Sequence, residues 1–181
     1  MTAIEIRPAT DADAEAIAAV HVAAWRETYE GLAPAEVLAA LSVEERAARW
    51  RAVLSEPDAP TRSAVFLALA EDGSAAGFAS CGPQRREALS AAGYKGEFSA
   101  VYILKSAQRR GVGRRLMALM AENLLARSLD RASLWVLRNN FPSRRFYEAL
   151  GGRKIAYEGL WHGVPEVAYA WRDLTRLVSH Q

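Results

Sequence analysis

The chain has 181 residues, of which 51% are apolar, and its formal net charge is +2. This length and apolar content predict one globular domain over residues 1–181 and exclude an intrinsically disordered chain. The small net charge argues against a polyanionic partner such as a nucleic acid. Cys81 is the single cysteine, which excludes an intrachain disulfide and a cysteine-based metal site.

Signals for export or membrane insertion are missing from the expected places. The N-terminus has no basic segment followed by an apolar one, and no apolar run reaches membrane-spanning length. We therefore expect a cytoplasmic protein without membrane contact. The histidines stand at positions 21, 162 and 180, and this scattered arrangement predicts no metal site.

The N-terminal half predicts elements in the order βαααββ. Helical spacing of apolar residues ends near Gly31, a short helix begins near Pro34, and a capping box at Ser42 begins another. Strands are predicted where single apolar residues alternate with polar ones, and where a continuous apolar run lies between polar turns. These strands cover residues 4–8, 64–70 and 76–81.

The C-terminal half predicts the order βαβαββ. Residues 83–96 show no periodicity, and we expect them to form a long loop. Strands are indicated at 98–104 and 132–137, and each is followed by a predicted helix. Two short strands, 155–157 and 167–171, complete the pattern. The whole order predicts an α/β protein with a mixed sheet and helices on both faces.

The turn after the central predicted strand has the composition of a phosphate-binding loop. From Gln108 to Gly113 it reads Q-R-R-G-V-G, and apolar residues at helical spacing follow. Gly111 and Gly113 permit positive φ and a close approach of a ligand to bare backbone. The free N–H groups and the dipole at a helix N-terminus favour an anion. Because neither a Walker loop nor a G-x-G-x-x-G loop is present, we expect a different kind of pyrophosphate site.

The Q-x-x-G-x-G pattern after a strand resembles the acetyl-CoA pyrophosphate loop of the GNAT superfamily of N-acetyltransferases. A second segment, residues 135–151, also resembles these proteins. In it Asn140 precedes Ser143 by three residues, and the run F-Y-E-A-L-G that contains Tyr147 follows. Gly152 stands where these proteins commonly have phenylalanine. Two motifs in the order of the superfamily make the resemblance specific.

The resemblance covers roughly residues 60–172 and implies the GNAT fold, a central mixed, mostly antiparallel sheet flanked by helices on both faces. It also implies direct transfer of an acetyl group from acetyl-CoA to a primary amine of a small molecule or a protein. No covalent enzyme intermediate is involved in this reaction. The resemblance leaves open the identity of the acceptor, the length of the acyl group and the formation of a homodimer.

The resemblance further implies where acetyl-CoA binds. Arginines of the loop are expected to contact phosphates, and backbone N–H groups at the end of the central strand are expected to stabilise the oxyanion. Asn140 is expected to cap a helix, to contact the cofactor, or both. The expected cofactor contacts are Tyr102, Ile103, Leu104, Gln108, Arg109, Arg110, Gly111, Val112, Gly113, Arg114, Asn140, Ser143 and Tyr147.

Two residues are candidates for proton transfer. Tyr147 occupies the position where GNAT enzymes often place the acid that protonates the leaving thiolate, and an ordinary tyrosine is protonated near pH 7; the alternative is an amphipathic core residue on a short helix. Glu97 is the candidate base, acting directly or through water, although an ordinary carboxylate at a strand entry is the alternative. With Glu97, the residues Trp25, Tyr29 and Leu32 are expected to bind the acceptor, unless they belong to the core.

Two other functions are considered. A non-catalytic acyl-CoA-binding or sensor module would keep the loop but lack a working acceptor site. A nucleic-acid binder would use Arg85, Arg86 and the loop arginines, and the low net charge argues against it. His21 lies on an apolar stripe and is expected to be a hydrogen-bonded core histidine, with a place in the lining of the acceptor pocket as the alternative.

Overall fold

The computed structural model describes residues 4–55 and 63–179. The strands are β1 (Glu5–Pro8), β2 (Ala64–Leu69), β3 (Ala75–Pro83), β4 (Gly96–Ile103), β5 (Ala132–Leu137), β6 (Arg153–Trp161) and β7 (Val164–Trp171). Within the described residues they form one seven-stranded sheet in the order β1-β2-β3-β4-β5-β7-β6. Neighbouring strands are antiparallel except β4 and β5, which are parallel. The predicted mixed, mostly antiparallel sheet is therefore confirmed.

Helices cover both faces of this sheet, as predicted. They are α1 (Ala14–Tyr29), α2 (Ala35–Ala39), α3 (Val43–Leu54), α4 (Glu87–Ala91), α5 (Val112–Ala126), α6 (Phe141–Ala149) and α7 (Thr175–Val178). Helices α1 and α3 pack on one face, whereas α5, α6 and α7 pack on the other. No helix in the described ranges has the length and apolar content needed to cross a bilayer.

Strand β2 shows why the continuous apolar runs form central strands. Its side chains alternate between the two faces, and both faces are covered by helices. Val65 and Leu67 pack in the cluster under α1 and α3, whereas Phe66 and Ala68 pack in the cluster under α5. Burial on both faces requires apolar residues at every position, so the run is uninterrupted.

Some predicted boundaries were wrong. The expected loop 83–96 contains α4, whose Leu89 is fully buried, because five residues are too few to show a helical period. Strand β6 is nine residues long rather than three. It is an edge strand without a fully buried side chain, and Arg153, Lys154, Glu158 and Gly159 interrupt its apolar residues, so its apolar signal is weak.

The parallel strands β4 and β5 separate soon after they begin. They pair only where Gly96 faces Ala132 and Glu97 faces Ser133. Strand β4 continues to pair with β3 as far as Ile103, with a bulge near the Ser80 to Cys81 step of β3. The edge of β4 that faces β5 is therefore open beyond Glu97, and a gap forms between the two strands in the middle of the sheet.

Candidate active site

The helix predicted to follow the phosphate loop begins at Val112. Gly111 precedes it with φ of +78°, in the left-handed region that favours glycine. The N–H of Arg115 donates to the carbonyl of Gly111 at 3.1 Å, so the N–H groups before Arg115 have no acceptor within the helix. The first turn of α5 contains no acidic residue. This helix end therefore has the donors and the dipole to bind an anion.

Gly113 has a different role from the one that its spacing suggested. It lies inside α5 and is not among the glycines with positive φ. A β-carbon at this position would lie 2.9 Å from Cζ of Phe146 and 3.2 Å from Cδ1 of Ile103. Its missing side chain thus lets α6 and the end of β4 pack closely against α5, and the positive φ that both glycines permit occurs at Gly111 alone of the two.

The loop before α5 is tied to the end of β4. The side-chain amide of Gln108 donates to the carbonyl of Ile103 at 2.9 Å. Arg109 has φ of +61°, and its side chain is exposed, as is that of Arg114. Arg110 forms an ion pair with Glu71 at 3.7 Å. The arrangement surrounds the N-terminus of α5 with positive charge.

A cleft of about 550 Å³ lies over the gap between β4 and β5. Tyr102 lines it from β4, and Trp135 lines it from β5. Of the predicted acceptor residues, Trp25, Tyr29 and Glu97 also line it. Leu32 is not among the described residues that do; it is half-buried in the turn after α1. The structure thus brings most of the predicted acceptor residues to one site.

One wall of the cleft is aromatic. The ring centroid of Trp25 lies 5.0 Å from that of Trp161 and 5.5 Å from that of Tyr29. Tyr29 and Trp161 are 5.7 Å apart, and Trp25 lies 6.1 Å from Tyr102. Three of these rings come from helix α1 and the β6–β7 hairpin, so the wall depends on contacts between distant parts of the chain.

Tyr147 is buried on α6 beside this site. Its ring lies 6.1 Å from Trp171 and 6.4 Å from Tyr169. Burial raises its pKa well above the ordinary value of tyrosine, and the nearby phenol of Tyr102 raises it further. Tyr147 in turn contributes to the raised pKa of Tyr29, whose main cause is burial. The Tyr147 phenol is therefore protonated at neutral pH, although its ring does not line the cleft among the described residues.

Asn140 caps α6, which confirms one of its two expected roles. Its side-chain oxygen accepts a hydrogen bond from the N–H of Ser143 at 3.2 Å. The residue is buried and stands three positions after the end of β5, so the cap fixes the direction in which α6 leaves the sheet. Because α6 carries Tyr147, this cap also helps to position that phenol.

Glu97 is held by an arginine that the sequence did not pair with it. Nε and an Nη of Arg85 donate to its two oxygens at 2.9 and 2.7 Å, and the backbone N–H of Arg85 donates at 3.2 Å. The Glu97 side chain is 7% exposed, whereas that of Arg85 is 70% exposed. The ion pair fixes the orientation of a buried carboxylate at the base of the cleft.

The cleft contains a second carboxylate that was not among the predicted site residues. Glu166 lies on β7, its side chain is 8% exposed, and an Nη of Arg86 lies 3.5 Å away. Burial raises its pKa, and Arg86 partly offsets this rise. A signal was present, because Glu166 is the one acidic residue of an otherwise apolar strand.

His21 and Cys81 are both buried. The indole N–H of Trp50 donates to Nδ1 of His21 at 3.1 Å, which confirms the predicted hydrogen-bonded histidine, and His21 also lines the cleft, which was the alternative prediction. Burial, assisted by Arg46 and Arg49, lowers the pKa of His21 to about 3, so its imidazole is neutral near pH 7. Burial raises the pKa of Cys81 to about 12, so its thiol is protonated.

The profile of the acetyltransferase (GNAT) family matches residues 20–152. The uncharacterized N-acetyltransferase YuaI of Bacillus subtilis is 37% identical over 177 residues, which are 96% of each chain. The chain belongs to the GNAT acetyltransferase family. An uncharacterized N-acetyltransferase of Archaeoglobus fulgidus is 33% identical over 82 residues, which cover 42% of this GNAT chain and 51% of the relative.

Solved structures confirm the GNAT fold. The PaiA N-acetyltransferase of Thermoplasma acidophilum, crystallised with coenzyme A, has a TM-score of 0.75 at 18% identity; 94% of this chain and 100% of that chain are covered. YncA of Salmonella typhimurium, a putative acetyltransferase with its cofactor acetyl-CoA, has a TM-score of 0.69 at 19% identity. The match covers 96% of this chain and 95% of that chain. At these identities the likeness concerns the fold.

One departure from the GNAT sequence pattern has a structural explanation. A β-carbon at Gly152 would lie 2.6 Å from Cζ2 of Trp171 and 2.9 Å from the carbonyl oxygen of Tyr147. The indole of Trp171 thus fills the space next to Gly152, and its N–H donates to the carbonyl of Leu150 at 2.9 Å. In this GNAT protein a tryptophan from β7 takes the place of the common phenylalanine.

Proposed function

We propose that this GNAT protein transfers the acetyl group of acetyl-CoA directly to a primary amine of a small molecule or a protein. The reaction takes place in a ternary complex without a covalent enzyme intermediate. The observation that carries the proposal is the position of the cleft, which spans the gap between β4 and β5 and is lined by residues of both strands. A thioester in the gap and an amine in the cleft would meet beside β4.

The residues around the gap fit acetyl-CoA. The first N–H groups of α5, together with Arg109, Arg110 and Arg114, suit its phosphates. The buried indole N–H of Trp135 has no hydrogen-bond partner among the described residues, and it suits a carbonyl of the pantetheine arm. On the open edge of β4 the N–H of Ile103 suits the carbonyl that reacts, whereas the predicted donor Leu104 already donates to the carbonyl of Ala76 at 3.0 Å. When bound, acetyl-CoA supplies the activated acetyl group.

The chain's own residues divide the remaining tasks. Tyr147 gives a proton to the leaving sulfur, because its buried phenol is protonated over the whole physiological range. Glu97 accepts hydrogen bonds from three N–H groups of Arg85, which fix the orientation of its carboxylate. We therefore infer that Glu97 orients a water molecule or the amine. Trp25, Tyr29 and Trp161 exclude water around the acceptor.

Replacing Gly111 with alanine tests the phosphate contact. The left-handed φ of +78° costs an alanine about 1–2 kcal/mol, and relaxation of the turn would redirect the N–H groups of α5. We expect KM for acetyl-CoA to rise about tenfold, the equivalent of about 1.4 kcal/mol. Gly73→Ala is the matched control, since Gly73 has φ of +79° and equally open surroundings in the β2–β3 turn. Equal KM values in the two variants would contradict the assignment.

A thiol-release screen tests the proposed function itself. The protein is mixed with acetyl-CoA and, separately, with linear diamines, α-amino acids and short peptides, and released coenzyme A is measured together with the mass of the product. We expect release that depends on the amine and a product heavier by one acetyl group. Tight binding of acetyl-CoA without transfer to any amine would instead support the non-catalytic sensor module.

A further inference from the structure

Two buried carboxylates line the same cleft and differ in their hydrogen bonds. Glu97 accepts three hydrogen bonds from Arg85, the longest of which is 3.2 Å. Glu166 is equally buried, but its contact is a single Nη of Arg86 at 3.5 Å, the outer limit of a hydrogen bond. Both oxygens of Glu97 are therefore held by charged or backbone donors, whereas Glu166 has one long contact and keeps most of its acceptor sites free.

The surroundings of Glu166 direct it into the cleft. Gly159 on β6 lies opposite, and a β-carbon there would come within 2.9 Å of Oε1 of Glu166. The ring of Trp135 borders the same place, and the guanidinium of Arg86 lies 5.3 Å from the centre of that ring. The side chain of Arg86 is 59% exposed, so it can swing away from Glu166 without leaving a buried cation.

We propose that Glu166 accepts the proton of the incoming ammonium group, and that the substrate displaces Arg86 from it. This inference rests on the proposed function. The ammonium group gives one proton to an oxygen of Glu166, and the nitrogen lone pair forms a bond to the thioester carbonyl carbon. The carbon–sulfur bond breaks, and the sulfur takes the proton of Tyr147. The nitrogen returns its second proton to Tyr147, and Glu166 releases its proton to solvent.

The electrostatic surroundings of Glu166 set the direction of the pH dependence. Its charged and titratable neighbours are Arg86 and the phenol of Tyr29 on α1, and the Arg85–Glu97 pair lines the same cleft. Burial raises its pKa above that of an ordinary carboxyl group, and Arg86 lowers it in part. Only ionised Glu166 accepts a proton, so kcat/KM should fall as the pH drops through this raised pKa. Removing Arg86 should move the fall to higher pH.

The test is the pH profile of kcat/KM with the amine that gives the highest turnover in the screen. For Glu166→Gln we expect a loss of about 100-fold or more at pH 7. The remaining activity should rise about tenfold per pH unit towards the pKa of the free amine, because only neutral amine then reacts. Glu158→Gln, on the neighbouring strand and outside the cleft, is the matched control and should keep the wild-type rate.

Two further variants separate the carboxylates. In Glu97→Gln, kcat/KM should fall at low pH as it does in the wild type. In Arg86→Met, this fall should occur at a higher pH. An active wild type whose Glu166→Gln variant has the same rate and profile would overturn this inference alone. A Glu97→Gln variant whose kcat/KM no longer falls at low pH would also overturn it. A wild type that acetylates no amine would overturn the proposed function as well. If Glu166→Gln fails to fold, the Arg86→Met variant decides. A fall of kcat/KM at a higher pH than in the wild type supports the inference, and a fall at the same or a lower pH overturns it.

Discussion

Replacing Tyr147 with phenylalanine is expected to lower kcat about 100-fold at saturating acetyl-CoA and amine, since that is a typical contribution of a positioned proton donor. The ring of the variant keeps its packing against Tyr169 and Trp171. Only the hydroxyl is lost, so KM for acetyl-CoA and the melting temperature should change little. Steady-state kinetics and thermal denaturation measure both parts of this prediction.

The pH dependence of the wild type provides an independent check on Tyr147. Because burial raises its pKa above about 10, the ordinary tyrosine value, the phenol stays protonated throughout the mildly basic range. Turnover should therefore not fall between pH 7 and pH 9 through ionisation of Tyr147. Tyr157→Phe, which removes a hydroxyl outside the cleft, should leave kcat unchanged. Unchanged turnover in Tyr147→Phe at saturation would remove the residue from the mechanism.

Replacing Gly152 with phenylalanine, the residue that GNAT proteins commonly have there, is expected to lower the free energy of unfolding by about 3 kcal/mol. The new β-carbon would lie 2.6 Å from Trp171 and 2.9 Å from the backbone oxygen of Tyr147, and neither can move without disturbing the core. For a chain of this size the melting temperature should fall by roughly 5–10 °C. Because Tyr147 lies at the same contact, turnover should also decrease.

A double-mutant cycle tests the stated cause of this destabilisation. If Trp171 fills the space of the common phenylalanine, then Gly152→Phe should cost less in a Trp171→Leu background than in the wild type. We expect a favourable coupling of at least about 1 kcal/mol. Gly151→Ala is a neighbouring control, because its surroundings are open and only its φ of +80° opposes a side chain. Strictly additive effects of the two substitutions would contradict the packing explanation.

The parts of the site that the sequence predicted correctly depend on local chain geometry. The helix start after the Q-R-R-G-V-G loop and the Asn140 cap each involve residues a few positions apart. Such features follow from residue type and spacing. The family resemblance added the fold, because it supplied the pairing of distant strands that spacing alone does not specify.

The parts that the sequence did not predict depend on contacts between distant residues. Gly113 is small because Phe146 of another helix packs against it. Glu166 points into the cleft because β7 pairs with β6 and Gly159 leaves room for its carboxylate. Arg85 reaches Glu97 from the segment between β3 and α4. None of these contacts between distant residues has a local sequence signal, although Glu166 itself stands out as the one acidic residue of an apolar strand.

The most direct measurement is a crystal structure of the protein grown with excess acetyl-CoA. We predict diphosphate oxygens within hydrogen-bond distance of the N–H groups between Arg110 and Arg114. We also predict the pantetheine arm between β4 and β5, and the sulfur next to the hydroxyl of Tyr147. A nucleotide bound elsewhere, or strands β4 and β5 closed against each other with the N-terminus of α5 free, would contradict this account.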